Sequence, residues 1–482
     1  MRFSTVCRIL GILLMIFSFT MFPPIAVSLY YDDNQFIAFF EAFLLTLGIG
    51  LIIWLPVRNK KKELRVRDGF IVTALFWIVL SLSGSIPLYL SDQPDLRYVD
   101  AYFESLSGLT TTGATVITGL DSLPKSILWY RQQLQWLGGM GLIVLAVAIL
   151  PMLGIGGMQL YRTETPGPVK DTKLTPRIAE TAKALWYIYL GLTIACALAY
   201  WAAGMTLFDA VCHSFATIAI GGFSTHDASI GYFDSTAIEM IAVFFMFTAG
   251  VNFALHFAAW RRNSWRTYFL DPEFKFYGSL MLLVACCTIG VLYFNGTYGF
   301  AESFTTGLFE VVSIATTTGF ATADFASWPF VLPFLLLLIA FVGGCAGSTG
   351  GGMKVIRVLL IYKQGLREIK RLIHPNAIIP VKLGRKPVPD RVIEAVWGFF
   401  SVYLFVFVVL LLLLLATGLD QVTAWSAVGA SINNLGPGLG AVSENYRDIP
   451  DTAKWVLCFA MLMGRLEIFT LLILFTPSFW RN

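Results

Sequence analysis

The sequence predicts an all-α integral membrane protein, in which two leading helices precede four tandem repeats. Three observations lead to this fold class. Of the 482 residues, 57% are hydrophobic and only 13% are charged; ten apolar runs are long enough to cross a bilayer; and four short segments ending in glycine recur in register. Soluble domains usually carry about 25% charged residues. The composition therefore excludes a cytosolic enzyme, a disordered regulator and a secreted disulfide scaffold.

Ten apolar runs supply the candidate spanning helices, since a span needs about 20 apolar residues. Pro23 and Pro24 interrupt the first run and no small-residue cleavage site follows, so it is interpreted as a helix rather than a signal peptide. The runs lie near 9–30, 36–57, 69–91, 129–153, 185–204, 236–259, 277–294, 329–344, 393–417 and 454–476.

The charges predict the orientation of these helices. One set of connections, at 58–68, 161–184, 260–276 and 354–394, carries 25 basic and 10 acidic residues. The opposite set, at 92–127, 205–238, 296–327 and 418–452, carries 3 basic and 15 acidic residues. The positive-inside rule places the first set in the cytoplasm. With ten spans, both termini are then cytoplasmic.

Each connection of the acidic set begins with a half-apolar stretch too short to cross the membrane. Aligned without gaps, the four stretches read DAYFESLSGLTTTG, DAVCHSFATIAIGG, TGLFEVVSIATTTG and TAWSAVGASINNLG, and end at Gly113, Gly222, Gly319 and Gly436. Self-similarity of this kind identifies an internal repeat. The residues that open the alignment are predicted helix N-caps: Asp100, Asp209, Thr306 and Thr423.

The repeat sets the predicted organisation of the chain. Two leading helices occupy residues 1–68, and the four repeats occupy 69–160, 161–262, 263–365 and 366–482. About 25 to 28 residues after each terminal glycine, the following span carries another glycine, at Gly139, Gly250, Gly344 and Gly464. We expect helix–pore-loop–helix repeats, arranged pseudo-fourfold around one pore.

The chemistry of such loops favours a cation. A half-helix that enters from outside points its C-terminus, with about half a negative charge, at the middle of the membrane. Glycine lets the following backbone direct carbonyl oxygens at an axis without a side chain in the way. Rings of carbonyl oxygens replace the hydration shell of an ion in potassium filters. Thr111, Thr112, Thr317 and Thr318 could add hydroxyl oxygens.

Two further features lie on the predicted cytoplasmic side of the loops. Six of the ten residues from Gly343 to Gly352 are glycine, which does not favour a continuous helix. The run superficially resembles a phosphate-binding loop, but its lysine comes one residue late and no strand precedes it. The second feature is Arg465, a costly charge inside the last apolar run. Glu467 is two residues away and does not face it on a helix.

The loop sequences TTTGAT, AIGGFST, ATTTGFAT and NNLGPGLG resemble the Trk/Ktr/HKT superfamily of potassium transporters. The length, the leading helices and the glycine-rich break look like its bacterial TrkH type. The resemblance implies one glycine per repeat in a single selectivity filter, and glycine in all four positions implies potassium. The implied filter residues are Thr111, Thr112, Gly113, Ile220, Gly221, Gly222, Thr317, Thr318, Gly319, Asn434, Leu435 and Gly436. The implied gate is an intramembrane loop (Gly343, Gly344, Gly347, Gly350, Gly351, Gly352) and Arg465.

The resemblance further implies K⁺ uptake across the bacterial inner membrane, as a homodimer regulated by a cytoplasmic, nucleotide-binding subunit of TrkA type. Partners are then K⁺, the lipid bilayer and that subunit, with no nucleic acid and no resident cofactor. Two questions stay open: whether transport is passive or a symport with H⁺ or Na⁺, and whether the chain is instead the K⁺-translocating subunit of an ATP-driven complex. An intramembrane enzyme is disfavoured, because four scattered histidines and no HExxH motif supply no reaction centre.

Overall fold

The described part of the chain is almost entirely helical, as its apolar composition predicts. The structure is a computed structural model that describes residues 3–59, 66–141 and 178–481. The one hairpin within these ranges pairs Lys382–Leu383 with Lys386–Pro387. Helices dominate because backbone polar groups in a bilayer must find their partners within the protein.

Six helices in the described ranges are long and apolar enough to cross a membrane. They are the two leading helices and the first helix of each repeat. In chain order they are Phe3–Tyr31, Phe36–Val57, Arg67–Leu90, Lys183–Ala202, Pro272–Phe294 and Asp390–Leu415.

The second helix of each repeat is short or broken. In the first repeat it is Lys125–Trp136 with a π-helical turn at Leu137–Gly141, and the rest of the run 129–153 lies outside the described residues. In the third, Leu332–Val342 and Val355–Ile373 flank the glycine run. The second and fourth repeats each bend sharply. Thr236–Ala249 meets Phe253–Arg262 at 93°, and Asp451–Arg465 meets Phe469–Phe475 at 108°.

These bends interrupt two of the ten apolar runs, at 236–259 and 454–476, that the sequence predicts to span the membrane. The structure supports six spans, or eight if each bent pair counts as one, within the described residues. Only the break in the third repeat was predicted. Helices also run through the predicted boundaries at 68/69 and 365/366. The other individual helices and helical turns either make up the spans given above or lie in the connections between them. They are Phe3–Ser18, Phe19–Met21, Phe22–Tyr31, Phe36–Trp54, Leu55–Val57, Val66–Leu90, Leu120–Ser122, Ile178–Ala202, Ser229–Phe233, Arg266–Leu270, Phe325–Ser327, Gly440–Val442, Phe469–Leu472, Ile473–Phe475 and Pro477–Trp480.

Between the two helices of each repeat lies a half-helix of 12 to 16 residues: Tyr98–Leu109, Leu207–Ala219, Phe300–Ala315 and Gln421–Ile432. Their predicted N-caps are wrong, because each helix begins earlier than the alignment. Thr206 and Asp420 are caps whose side chains accept hydrogen bonds from Asp209 N and Thr423 N. The observed N-cap residues are Arg97, Thr206, Gly299 and Asp420, not Asp100, Asp209, Thr306 and Thr423.

All four half-helices end in the same backbone turn. The residue two before the terminal glycine has a left-handed φ in each repeat, at Thr111, Ile220, Thr317 and Asn434. The amide of the next residue then bonds back to the carbonyl five residues earlier, at 2.8 Å in every repeat: Thr112 to Ser107, Gly221 to Ala216, Thr318 to Ser313 and Leu435 to Ala430. This is the Schellman closure, which satisfies carbonyls that a helix end otherwise leaves without partners. It reverses the chain at the end of each half-helix.

The second-helix glycines lie where another segment approaches closely. A Cβ on Gly464 would lie 2.2 Å from the Ile432 carbonyl oxygen, at the end of the fourth half-helix. A Cβ on Gly139 would lie 3.2 Å from Ala219, at the end of the second. On Gly250 it would lie 2.2 Å from the Tyr277 hydroxyl. The absence of a side chain therefore lets the second helices pass directly against a half-helix end at Gly464 and Gly139, and against a neighbouring spanning helix at Gly250.

This packing predicts that Gly464→Ala destabilises the protein by about 1–3 kcal/mol, the usual cost of overpacking. The matched control is Gly278→Ala, at a helical glycine where an added Cβ would have no atom of a neighbouring segment within 4 Å. We expect the control to be neutral or stabilising, because alanine favours a helix more than glycine does. Thermal unfolding in detergent checks both variants. Equal melting temperatures would contradict the close contact at Gly464.

Candidate functional site: a ring of four glycine loops above a glycine-rich segment

The four loops that follow the half-helices form a closed ring. Each terminal glycine lies against the loop of the next repeat, and the fourth lies against the first. The separations from a Cβ built on the glycine are 2.1 Å (Gly113 to Gly221 O), 2.0 Å (Gly222 to Thr318 O), 2.7 Å (Gly319 to Pro437 Cδ) and 2.6 Å (Gly436 to Gly113 O). Any larger residue would push the ring apart at these four positions.

Three of the ring glycines also need their backbone freedom. Gly113, Gly222 and Gly319 have φ values of 80°, 81° and 83°, which disfavour residues with a Cβ. Gly436 does not share this conformation, and Pro437 follows it. The fourth loop therefore closes the ring with a different backbone from the other three.

A side chain inside each half-helix holds the chain that leaves the ring. Nine residues before the terminal glycine stand Glu104, His213, Glu310 and Ala427. Glu104 accepts a hydrogen bond from Val116 N at 2.9 Å, and Glu310 accepts one from Thr322 N at 2.7 Å. In the second repeat, His213 Nε2 lies 2.9 Å from Ser224 Oγ. In the fourth, Ala427 has no polar atom, and the adjacent Ser426 accepts from Leu439 N at 2.8 Å.

These anchors are buried polar residues with partners inside the protein. Both ring nitrogens of His213 have hydrogen-bond partners, so it is a buried structural residue. Glu104 and Glu310 hold the backbone that leaves the first and third loops. Aligning the repeats nine positions upstream of the glycines could have found the set, although its members differ in type.

Arg131 joins the first loop to the second. Its guanidinium is 1% exposed and lies 2.8 Å from Glu104 Oε1, and it also donates to Ser224 O at 3.1 Å. The same group stacks over the Phe223 ring at 4.3 Å. A buried charge needs such compensation. Sequence analysis missed Arg131, since it had counted this residue only within an apolar run.

Two more buried side chains support individual loops. Gln135 donates to Gly221 O at 2.6 Å and accepts from Phe223 N at 3.0 Å. Tyr446 donates to Gly436 O at 2.9 Å. The second and fourth loops therefore have polar side-chain support where they lack the threonines of the other two.

The threonine hydroxyls of the first and third loops have protein partners. Thr110 and Thr112 share a hydrogen bond of 2.8 Å, and Thr316 and Thr318 share one of 2.7 Å. Asn434 also donates to Thr112 at 3.0 Å, which links the fourth loop to the adjacent first loop. The hydroxyls thus restrain the loops through hydrogen bonds within the protein, whether or not their oxygens also contact an ion.

The glycine-rich segment 343–352 lies directly against three half-helix ends. Thr349 donates to Ile218 O of the second at 2.9 Å. Gly351 N donates to Thr317 Oγ1 of the third at 2.7 Å, and Gly352 N donates to Asn433 O of the fourth at 3.0 Å. The predicted intramembrane loop is therefore placed on the far side of the ring from the outer connections.

The predicted gate glycines differ in what they do within this segment. Gly343, Gly347 and Gly352 have φ values of 71°, 72° and 74°, so they provide the turns. Gly344, Gly350 and Gly351 allow neighbouring segments to approach closely, because they have no side chain. A Cβ on Gly351, for example, would lie 1.9 Å from Asn433 O.

Arg465 lies against the remaining half-helix end. It donates to Thr111 Oγ1 at 3.2 Å and to the carbonyl oxygen of Gly139 at 2.8 Å, and it also bonds to the carbonyl of Gly138. Its guanidinium lies 5.2 Å from the Trp77 ring. Glu467 forms an ion pair with Arg357. The four half-helix ends are thus covered by the glycine segment on three sides and by Arg465 on the fourth.

On the outer face, a histidine connects the first two repeats. His226 Nδ1 pairs with Asp121, its Nε2 lies 3.5 Å from Asp209 Oδ1, and its ring stacks on Tyr232. Burial lowers the pKa of His226, but the carboxylates of Asp209 and Asp121 outweigh it and raise the pKa above the ordinary 6.5. No group of three or more His, Cys, Asp or Glu side chains in the described ranges is placed to hold a metal ion.

Comparison with known proteins gives consistent relatives. The family described as "TrkH: Cation transport protein" matches residues 36–482. The Trk system potassium uptake proteins TrkH of Halomonas elongata and Escherichia coli K12 are 61% and 57% identical to the chain, with 100% of both chains covered in each case. The crystal structure of the potassium transporter TrkH from Vibrio parahaemolyticus matches with a TM-score of 0.91 and 56% identity, over 100% of both chains.

The outer histidine predicts a pH-dependent stability. Because folding raises the pKa of His226, its ion pairs contribute fully to the free energy of unfolding below about pH 6.5. This contribution is lost as the pH rises through the pKa of His226 in the folded protein. We expect the wild type to lose more thermal stability between about pH 6 and about pH 8.5 than His226→Gln does. The control is His374→Gln, at an exposed residue. An identical pH dependence in all three proteins would rule out this contribution.

Proposed function

This chain belongs to the TrkH family of cation transport proteins, and from that premise we propose that it carries potassium ions across a bacterial inner membrane through the ring of four glycine loops. The observation that supports this most directly is the closure of the ring, in which each terminal glycine abuts the next loop. Relatives that are 57% to 61% identical are named potassium uptake proteins. The chain is a multi-pass membrane protein and not an enzyme.

The ring has the chemistry of a potassium filter. Four helix C-termini bring partial negative charge to the same region. The residues Thr111 to Gly113, Ile220 to Gly222, Thr317 to Gly319 and Asn434 to Gly436 supply backbone carbonyls around it. Such oxygens can replace the hydration shell of K⁺. Because glycine has no side chain, the terminal residue of each loop leaves the axis open. The bound metal in this proposal is the transported K⁺ itself.

The gate consists of the segment 343–352 and Arg465. Both lie against the half-helix ends, immediately past the ring. A cation that leaves the ring meets an obstruction of backbone and a positive charge. Displacing both would lower the barrier to conduction.

We infer the direction of transport and the partners of the chain from the charge of its connections and from its family. The basic connections face the cytoplasm, together with both termini, and transport is inward. A cytoplasmic nucleotide-binding subunit of TrkA type docks on the basic side, and two copies of the chain form a homodimer. Conduction down the membrane potential requires no coupled ion, whereas a symport would add H⁺ or Na⁺. The family match over residues 36–482 favours this function over that of a subunit in an ATP-driven complex.

Selectivity should depend on the ring glycines. Gly113→Ser places a Cβ about where the Gly221 carbonyl oxygen lies, so it distorts the ring. We expect uptake of radioactive rubidium into proteoliposomes to become at least several-fold more sensitive to competing sodium. The matched control is Gly119→Ser, which has a similar positive φ but lies in an outer loop, where a Cβ would meet only Ser122 Oγ at an ordinary contact distance of 3.7 Å. Unchanged sodium competition in Gly113→Ser would contradict the filter.

Arg465→Ala should raise rubidium flux, because it removes a positive charge next to the conduction path. Unit charges about 4 Å apart interact by about 4 kcal/mol at an effective dielectric constant of about 20, and by about half of that at twice the distance. Since about 1.4 kcal/mol corresponds to a tenfold rate, we expect at least a tenfold increase. Arg371→Ala, at an exposed arginine, is the control. Flux at or below the wild-type level would exclude Arg465 from the gate.

A further inference from the structure

A buried ion pair connects the two elements of the proposed gate. Arg357 lies in the first turn of helix Val355–Ile373, just after the glycine segment. It pairs with Glu467, two residues beyond Arg465, and the two side chains are only 9% and 11% exposed. The pair therefore joins the third repeat to the fourth immediately next to both obstructing elements.

On the third-repeat side, Arg357 is fastened to the end of the glycine segment. It donates to Met353 O at 3.0 Å, and its guanidinium lies 4.1 Å from the centre of the Phe399 ring. Met353 N in turn donates to Phe341 O at 2.9 Å, on the other side of the segment. A movement of the segment would thus displace the Arg357 guanidinium.

On the fourth-repeat side, Glu467 lies at the elbow of the last broken helix. Glu467 and Ile468 have φ values of 51° and 54°, and the helices on either side meet at 108°. A β-branched residue rarely adopts a positive φ, and such a conformation persists only where its surroundings impose it. The second carboxylate oxygen of Glu467 is buried and accepts no hydrogen bond from the described residues. Among the described residues, Arg357 is thus the hydrogen-bonded partner of this carboxylate.

We propose that the Arg357–Glu467 ion pair is a latch that makes the glycine segment and Arg465 move as one gate. In the closed form, the pair holds the elbow against the exit of the segment, and the elbow holds Arg465 against Thr111. When the segment withdraws, Arg357 leaves Glu467, the elbow relaxes and Arg465 leaves the ring. This inference rests on the proposed gate and assigns Arg357 and Glu467 as positioning residues for it.

The latch can be tested by rubidium uptake into proteoliposomes containing the purified full-length chain. The variants are Arg357→Gln, Glu467→Gln, their combination, and the charge swap of Arg357→Glu with Glu467→Arg. The matched control is the same set at Arg371 and Glu368, an exposed pair on the same helix. Each single neutralisation leaves the partner as an unpaired buried charge, which should open the gate.

We expect about tenfold more flux in each single variant, no further increase in the double variant, and recovery towards the wild type in the swap. Competition by sodium should stay unchanged, because the ring is intact. Adding Arg465→Ala to either variant should raise flux by less than the product of the separate effects. The latch would be overturned if the flux increase in the double variant equalled the product of the increases in the two single variants. It would also be overturned if the single variants had wild-type flux.

If the single variants do not fold, the double variant Arg357→Met with Glu467→Met carries the test, since apolar residues often replace a buried ion pair without loss of stability. Raised flux supports the latch, and wild-type flux overturns it. The proposed gate is judged separately by Arg465→Ala alone. If Arg465→Ala raises flux while the pair variants do not, only the latch fails. If Arg465→Ala has no effect either, the gate itself fails.

Discussion

Four helices that stop at membrane depth leave carbonyl groups without partners, and the rest of this fold depends on how those groups are satisfied. Hydrocarbon offers no hydrogen-bond donor, so each unpaired carbonyl would cost several kcal/mol. The same Schellman turn closes all four half-helices, with the second amide bonding back at 2.8 Å. This turn reverses the chain into the ring, and the remaining carbonyls at the half-helix ends become contact points for the segments beneath them.

Those contacts account for the broken second helices. The segment 343–352 and the guanidinium of Arg465 supply donors to the groups that the turns leave open: Ile218 O, Asn433 O and the hydroxyls of Thr111 and Thr317. A continuous helix has no free amides in its middle to donate. A helix that breaks below the ring can satisfy the half-helix ends, and it also obstructs the path there. In the proposed function, the residues that satisfy the half-helix ends are thus the same residues that form the gate.

The sequence reveals this arrangement where the physical requirement is local. The terminal glycines were found in register because a positive φ or a close approach permits only glycine, so the same letter recurs. The anchors nine residues upstream escaped notice because Glu104, His213 and Glu310 perform one task with different chemistry. The bends near Gly250 and Leu466 were not predicted, since neighbouring segments impose them. The N-caps were misplaced because the alignment begins inside each half-helix, three residues after the observed N-cap in three repeats and seven residues after it in the third.

The ring is closed by four loops, but its coupling to the gate has only twofold character. The first and third loops carry a threonine two residues before the glycine. One of these hydroxyls accepts from Arg465 and the other from Gly351 N, on opposite sides of the ring. The second and fourth loops carry Ile220 and Asn434 there, and they are instead held by Gln135 and Tyr446. The first and third loops therefore contact the proposed gate elements through their own threonine hydroxyls, while the other two loops have their carbonyls bonded by Gln135 and Tyr446, which lie outside those elements. A displacement of the gate would alter the first and third loops most, which gives a physical reason for the ring to depart from fourfold sequence symmetry.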